Sequence, residues 1–211
     1  AANDLGYKKM VILAPNYQGG RDALEGFKRT FKGEVTEIYT KLNQLDFSVE
    51  LARVRSLAPD AIFQFHPGGA GINFAKQYGS SGLNKSIPMV VPVFSMDERM
   101  LAATGDVAKG MNIVTLWNPG STNPANQAFV KAFNDKYKRV PTVYAAQTYD
   151  TARLIGAALK TVDGNLKDPE ALRSALRNVT FDSIRGDFAF GKNQHAVIDW
   201  YLLRVEADAN G

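Results

Sequence analysis

The feature that most constrains this chain is an alternation in its first half. Short apolar runs are each followed by a turn signal and then by apolar residues at helical spacing. Lys9-Met10-Val11-Ile12-Leu13-Ala14 is such a run, closed by Pro15 and a polar turn, Asn16 to Gly20. Leu24, Phe27 and Phe31 then recur at helical intervals. Val35–Tyr39 predicts a second strand, and Phe47, Leu51, Val54 and Ala58 one helical face that Pro59 stops. Ala61–Phe65 predicts a third strand, with His66-Pro67-Gly68-Gly69-Ala70-Gly71 as its loop and a helix through Phe74 and Tyr78. Met89–Val93 and Met111–Trp117 predict two more strands. Apolar strands separated by amphipathic helices make βαβ units, hence a parallel sheet covered on both faces. Right-handed crossovers place the strand-to-helix loops on one edge. Ligands of open α/β sheets bind at that carboxyl edge. The loops that matter are therefore Pro15–Gly20, His66–Gly71 and Phe94–Asp97.

After Trp117 the pattern changes. Asn118–Thr122 reads as a crossing segment, and Asn123-Pro124 as a helix start with Asn as cap and Pro in the first turn. That helix carries Phe129, Ala132 and Phe133; a second carries Ala152, Ile155, Leu159 and Val162. A third starts at Asp168-Pro169 and carries Leu172, Ala175, Leu176 and Val179. Three successive helices have no strand between them, so their apolar faces need a partner that this stretch does not offer. Gly186–Phe190 and Ala196–Val205, flanking Gly191–Gln194, predict an antiparallel hairpin. Ala1–Gly6 reads as the last turns of a helix with Gly6 as its cap. With the unpartnered helices, that start implies an N-terminal part outside this chain.

Composition excludes several classes. The 211 residues are 45% hydrophobic and 22% charged, ordinary for a soluble globular chain. No apolar run approaches the roughly 18–20 residues needed to span a bilayer, and none reads as a signal peptide. There is no cysteine, which rules out disulfides, thiolate metal sites and cysteine nucleophiles. The net charge of +4 is dispersed, with Lys136, Lys138 and Arg139 as its densest stretch, so no nucleic-acid partner is expected.

No constellation supports an enzyme. Gly68-Gly69-Ala70-Gly71 matches neither the dinucleotide fingerprint nor the phosphate loop; a tight turn whose bare backbone lets a ligand approach is the structural reading. His66 and His195 are far apart and lack a carboxylate-rich setting, so neither a metal nor a cofactor is expected. Gly79-Ser80-Ser81-Gly82 has the wrong spacing for a nucleophile elbow. Asp97-Glu98 reads as compensation of a helix dipole, and Asp150 with Arg153 as a local helix pair. Tyr17 can be a loop-packing residue or one wall of an apolar ligand site, and its position alone does not choose.

Several stretches resemble one family. Val11–Tyr17 with Gly19-Gly20-Arg21-Asp22 and Gly26-Phe27-Lys28 is similar to the opening of the second lobe of type I periplasmic binding proteins, the solute-binding components of ABC transporters. Leu45-Asp46-Phe47 with Glu50-Leu51, Pro59-Asp60-Ala61-Ile62 and Gly105–Gly110 resemble successive segments of that lobe. Asn123–Asn126 with Phe129, then Tyr144-Ala145-Ala146 and Tyr149-Asp150, resemble the return into the first lobe. The order of these weak motifs covers nearly the whole chain.

The resemblance implies an α/β fold: residues 1–117 and 180–211 as a three-layer second lobe with a parallel sheet and a C-terminal hairpin, and 118–179 as the helical remainder of an incomplete first lobe. It implies a non-enzymatic, periplasmic protein whose signal peptide is not in this chain. Such a protein binds a small carboxylate between lobes that close on it, and delivers it to a permease. By position the ligand-binding residues would be Tyr17, Gln18, His66, Pro67, Gly68, Gly69, Phe94 and Ser95. Amino-acid binders place a glutamate in the third loop to hold the substrate ammonium; here Phe94 aligns there, with Asp97 or Glu98 as alternatives if the loop is shifted. A neutral aromatic packs against an apolar body, so an aromatic or other apolar carboxylate is expected alongside branched-chain amino-acid-like solutes. The alternative reading is an α/β enzyme or a ligand-sensing regulatory domain of the same fold. The exposed helix faces could also drive homodimerisation, a second copy covering them.

Overall fold

The computed structural model of the chain describes residues 1–207. In order they form β1 (Lys9–Pro15), α1 (Gln18–Thr30), β2 (Glu34–Thr40), α2 (Ser48–Leu57), β3 (Ala61–Gln64), α3 (Gly69–Ser80), β4 (Met89–Pro92), α4 (Glu98–Thr104) and β5 (Asn112–Thr115). Then follow α5 (Pro124–Tyr137), α6 (Val143–Thr161), α7 (Pro169–Asn178), β6 (Ala189–Phe190), β7 (Ala196–Val197) and β8 (Tyr201–Arg204). The chain divides into two compact units, residues 1–115 with the segment from Leu202, and residues 116–201.

The first unit is built on a sheet of order β2-β1-β3-β4-β5-β8. Strands β1 to β5 pair in parallel, with Leu13 opposite Ile38 and Gln64, and Val90 opposite Asn112. Burial explains the register. Met10 to Ala14 are all buried, so β1 is apolar towards both faces, the condition for a central parallel strand. Met10, Ala61 and Val90 form one face with Phe27, Phe31 and Phe63, and Leu24 of α1 closes on Ile12 and Ala14. Phe27 lies 4.9 Å from Phe63, ring centre to ring centre.

Local chemistry sets the joints. The first residues end in a complete Schellman arrangement: Tyr7 N–H donates to Ala2 O, Gly6 N–H to Asn3 O, and Gly6 has φ 81°. Helix α2 ends on Ala58 in the left-handed region, with Pro59 behind it. The Asp60 carboxylate accepts the Lys8 and Lys9 backbone N–H groups at 2.8 and 2.9 Å, bonds that lower its pKa. Edge strand β2 carries Glu37, which accepts from Lys28 at 2.6 Å and from the Tyr39 hydroxyl at 2.8 Å.

In the second unit the expected caps form. Asn123 accepts from Ala125 and Asn126 N–H at the start of α5, and Asp168 from Glu170 and Ala171 N–H at the start of α7, each with Pro in the first turn. Trp117 is buried and donates its indole N–H to Asn126 Oδ1 at 2.7 Å.

Three expectations need correction. The second arm of the hairpin is broken: β6 pairs with β7 only, and β8 lies in the large sheet beside β5. Gly110 and Met111 offer backbone groups that Val205 satisfies, and an open strand edge is a stronger partner than a two-residue ladder. Residues 180–201 accordingly group with the helices rather than with residues 1–117. Asp150 is no surface partner of Arg153. It is fully buried and accepts from Ser183 Oγ (2.6 Å), Ile184 N–H (3.0 Å) and Arg185 Nε (2.8 Å), while Arg153 pairs with Asp182 at 3.3 Å.

Candidate functional site

From β1 the chain goes first to β2 on one side and then to β3 on the other. The sheet therefore reverses its winding between β1 and β3, and the loops after these strands diverge from a crevice at their carboxyl ends. Asn16-Tyr17 follow β1, and Phe65 to Gly68 follow β3. A tight turn holding Val93 to Ser95 follows β4 one strand further along.

Tyr17 is the extended residue that opens α1, half-buried, with no side-chain cap on that helix. Its ring folds back over Gly19, lying 3.1 Å from where a side chain there would begin. Gly20 is obligatory, because a Cβ would sit 1.9 Å from the Pro15 carbonyl oxygen. Gln18 is exposed and engaged along α1: its amide donates to Asp22 at 2.7 Å and its oxygen accepts from Arg21. Arg21 also donates to Asn16 Oδ1 at 2.9 Å, stiffening the turn, a role the sequence pattern does not reveal.

The second loop splits into two parts. Pro67, Gly68 and Gly69 are exposed, and Gly68 opens α3 with φ 63° and ψ −140°, a conformation only glycine adopts easily. His66, expected beside them, points into the core and is only 1% exposed. Its ring stacks on Phe74 at 5.2 Å, meets Phe47 edge-on, and shares a 2.9 Å hydrogen bond between Nε2 and Thr40 Oγ1. Burial lowers its pKa to about 4, so the imidazole is neutral. The backbone behind it is tight: a Cβ on Gly71 would lie 2.2 Å from the His66 carbonyl oxygen and 2.8 Å from that of Ser95. The third loop divides in the same way, with Phe94 half-buried and Ser95 fully buried.

The structure thus brings Tyr17, Gly68 and Gly69 to the crevice, with Phe94 on the neighbouring turn. His66 and Ser95 are buried behind these loops. The helix starts differ in electrostatics. Helices α1 and α3 have no side-chain cap and no acidic residue in their first turns. Their positive dipole ends remain available to an anion. Helix α4 is already capped: Asp97, 2% exposed, accepts from Arg99 and Met100 N–H and pairs with the Arg99 guanidinium at 2.9 Å.

A family model described as periplasmic binding protein matches residues 1–210. The chain belongs to the periplasmic binding protein family. Among curated relatives of this family, the Leu/Ile/Val-binding protein homolog 6 of Brucella melitensis is 29% identical over 222 residues, which take in 100% of this chain and 56% of that protein. Among solved structures, the solute-binding protein of an ABC transporter from R. palustris, in complex with benzoate, superposes with TM-score 0.91 at 33% identity. The match covers 97% of this chain and 57% of the other. The ABC transporter substrate-binding protein of Sphaerobacter thermophilus gives 0.93 at 33% identity, covering 100% and 59%. A solute-binding protein of Rhodopseudomonas palustris BisB5, in complex with 3,4-dihydroxybenzoic acid, gives 0.87 at 33% identity, covering 98% and 59%. The chain spans a little over half the length of each of these relatives. They are transport binding proteins, and the family is extracytoplasmic and of the type I periplasmic binding fold. No helix among the described residues is long and apolar enough to cross a membrane.

Proposed function

We propose that this chain is the second-lobe portion of the solute-binding component of an ABC importer, working in the periplasm. It would take a small carboxylate with an aromatic or apolar body and present it to a permease. In this reading residues 1–115 and the segment from Leu202 are the second lobe, and the helices of the other unit belong to the first. The observation that carries the ligand class is the contrast between helix starts. The uncapped ends of α1 and α3 flank the crevice and suit a carboxylate. Asp97, a buried carboxylate beside the third loop, is committed to its own helix and to Arg99, which leaves it no role with a substrate ammonium. Tyr17 and Phe94 supply aromatic walls and Pro67, Gly68 and Gly69 a close backbone, with Gln18 beside Tyr17 and with His66 and Ser95 buried behind those loops. The benzoate and 3,4-dihydroxybenzoic acid complexes of the R. palustris proteins support an aromatic acid, and the Leu/Ile/Val-binding homolog of Brucella melitensis supports a branched-chain amino-acid-like solute as the alternative. Nothing in the comparisons supports a homodimer.

The test is a thermal-shift panel with benzoate, 4-hydroxybenzoate, leucine and isoleucine on the protein as its gene encodes it. The expected result is saturable stabilisation by the aromatic acids and little by the amino acids. Strong stabilisation by leucine with none by aromatic acids would overturn the ligand class.

A further inference from the structure

A cavity of about 520 Å³ opens at the opposite edge of the sheet, where β4 and β5 begin and β8 ends. Its position sets it apart from the crevice, since Met89 and Asn112 stand at the amino ends of strands whose carboxyl ends carry the Phe94 turn and Thr115. Its floor is apolar, from Tyr78, Ile87, Met89 and Met111. Its charged groups are mostly cationic, the Lys85 and Lys109 ammoniums and the Arg204 guanidinium, beside neutral polar groups of Tyr7, Asn84, Ser86 and Asn112 that can donate. Among the described residues that line it the one carboxylate is Glu206, 3.6 Å from Arg204 and 72% exposed, against three cationic side chains.

Asn112 is the telling residue. It is a polar side chain at the start of β5, 7% exposed, and what remains accessible of it lines the cavity. Its strand neighbours are hydrophobic, and a β-branched residue would suit the position better if packing were all it served. Tyr7 is also kept as a donor: burial raises its pKa, against the opposing charge of Arg204. The volume is that of a small-molecule site.

We propose that this cavity is a second binding site, taking a small oxyanion, carboxylate or phosphate, with Lys85, Lys109 and Arg204 supplying charge and Asn112 and Tyr7 supplying directed hydrogen bonds. It is independent of the transport reading, because it shares no residue with the crevice.

The test is a nuclear magnetic resonance titration of the chain with citrate and, separately, inorganic phosphate, at constant ionic strength held with sodium chloride. Saturable shifts are expected at the amides of Ser86, Ile87, Met89, Met111 and Asn112, and none at Tyr17, Gly68 or Gly69. Saturation by one anion and not the other identifies the oxyanion within the proposed class. The double variant Lys85→Ala/Lys109→Ala, both side chains exposed, should weaken binding at least tenfold, and Asn112→Ser several-fold. Shifts that stay linear for both anions, persist unchanged in the double variant or appear only at the crevice would overturn the site and leave the transport reading standing.

Discussion

Gly71 and Gly69 sit two residues apart in the first turn of α3, and the same substitution should cost stability at the first and not at the second. A methyl on Gly71 would lie 2.2 Å from the His66 carbonyl oxygen, 2.7 Å from Met100 Cε and 2.8 Å from the Ser95 carbonyl oxygen. A carbon facing a carbonyl oxygen settles at about 3.3 Å or more, so two stretches of backbone must each retreat, one of them by about 1 Å. Forced overpacking of this kind costs about 1–3 kcal/mol. Alanine's better helix propensity returns up to about 1 kcal/mol. The net expectation for Gly71→Ala is a loss of about 1–2 kcal/mol. A methyl on Gly69 would meet no heavy atom within 4 Å, and the residue has no positive φ, so Gly69→Ala should be neutral or gain about 0.5 kcal/mol. Urea denaturation followed by far-ultraviolet circular dichroism measures both. The backbone that Gly71 touches belongs to both the β3 and the β4 loops, so Gly71→Ala should also weaken carboxylate binding, while Gly69→Ala changes the binding surface only by an exposed methyl. Equal midpoints for the two variants would refute the close-packing argument.

Three further outcomes are expected. His66 has a folded pKa of about 4 against an ordinary 6.5, so the unfolded chain binds the extra proton first as pH falls. The associated stability is whole above pH 6.5 and is lost down to about pH 4, up to about 3 kcal/mol; His66→Gln should flatten the fall in urea midpoint between pH 6.5 and 5, and an unchanged slope would count against a buried neutral imidazole. Asp150→Ala strands the Arg185 guanidinium, 10% exposed, and two further donors, so it should cost about 3–5 kcal/mol, whereas Arg153→Ala should stay within about 0.5 kcal/mol; the same urea series separates them. Asp97→Asn keeps a good cap, so calorimetric affinity for aromatic acids should hold, and a large loss would mean that Asp97 meets the ligand after all.

The sheet was readable because its central strands are apolar towards both faces and several helix boundaries are marked chemically, as by Ala58-Pro59 and Asp168-Pro169. The site was readable in outline because glycines cluster where backbone must turn or approach: Gly20 against Pro15, Gly68 at positive φ, Gly71 against two loops. Side-chain direction was not readable. Nothing near His66 in sequence says that Phe47 and Phe74, from two other elements, close over it and turn it inward. Asp150 and Arg153 have the spacing of a helix pair, yet Arg185, 35 residues on, supplies the partner that counts. The fate of the last strand was hidden for the same reason. A two-residue ladder and the open side of β5 compete for it, and only the folded sheet makes the second offer.

Strand β2 closes the other side of that sheet, and the ion pair it makes with α1 bears on what the protein does when crowded. An edge strand with free backbone groups is a template on which another chain can zip. Glu37 and Tyr39 share one face of β2 and are bonded there, Glu37 also to Lys28 of α1, so a strand pairing alongside would have to take these charges further out of water. That toll falls on every misplaced neighbour and on no contact within the molecule. Removing it, as in Glu37→Val, should leave the fold standing and make the protein prone to aggregate, a failure visible in light scattering long before it is visible in a melting curve.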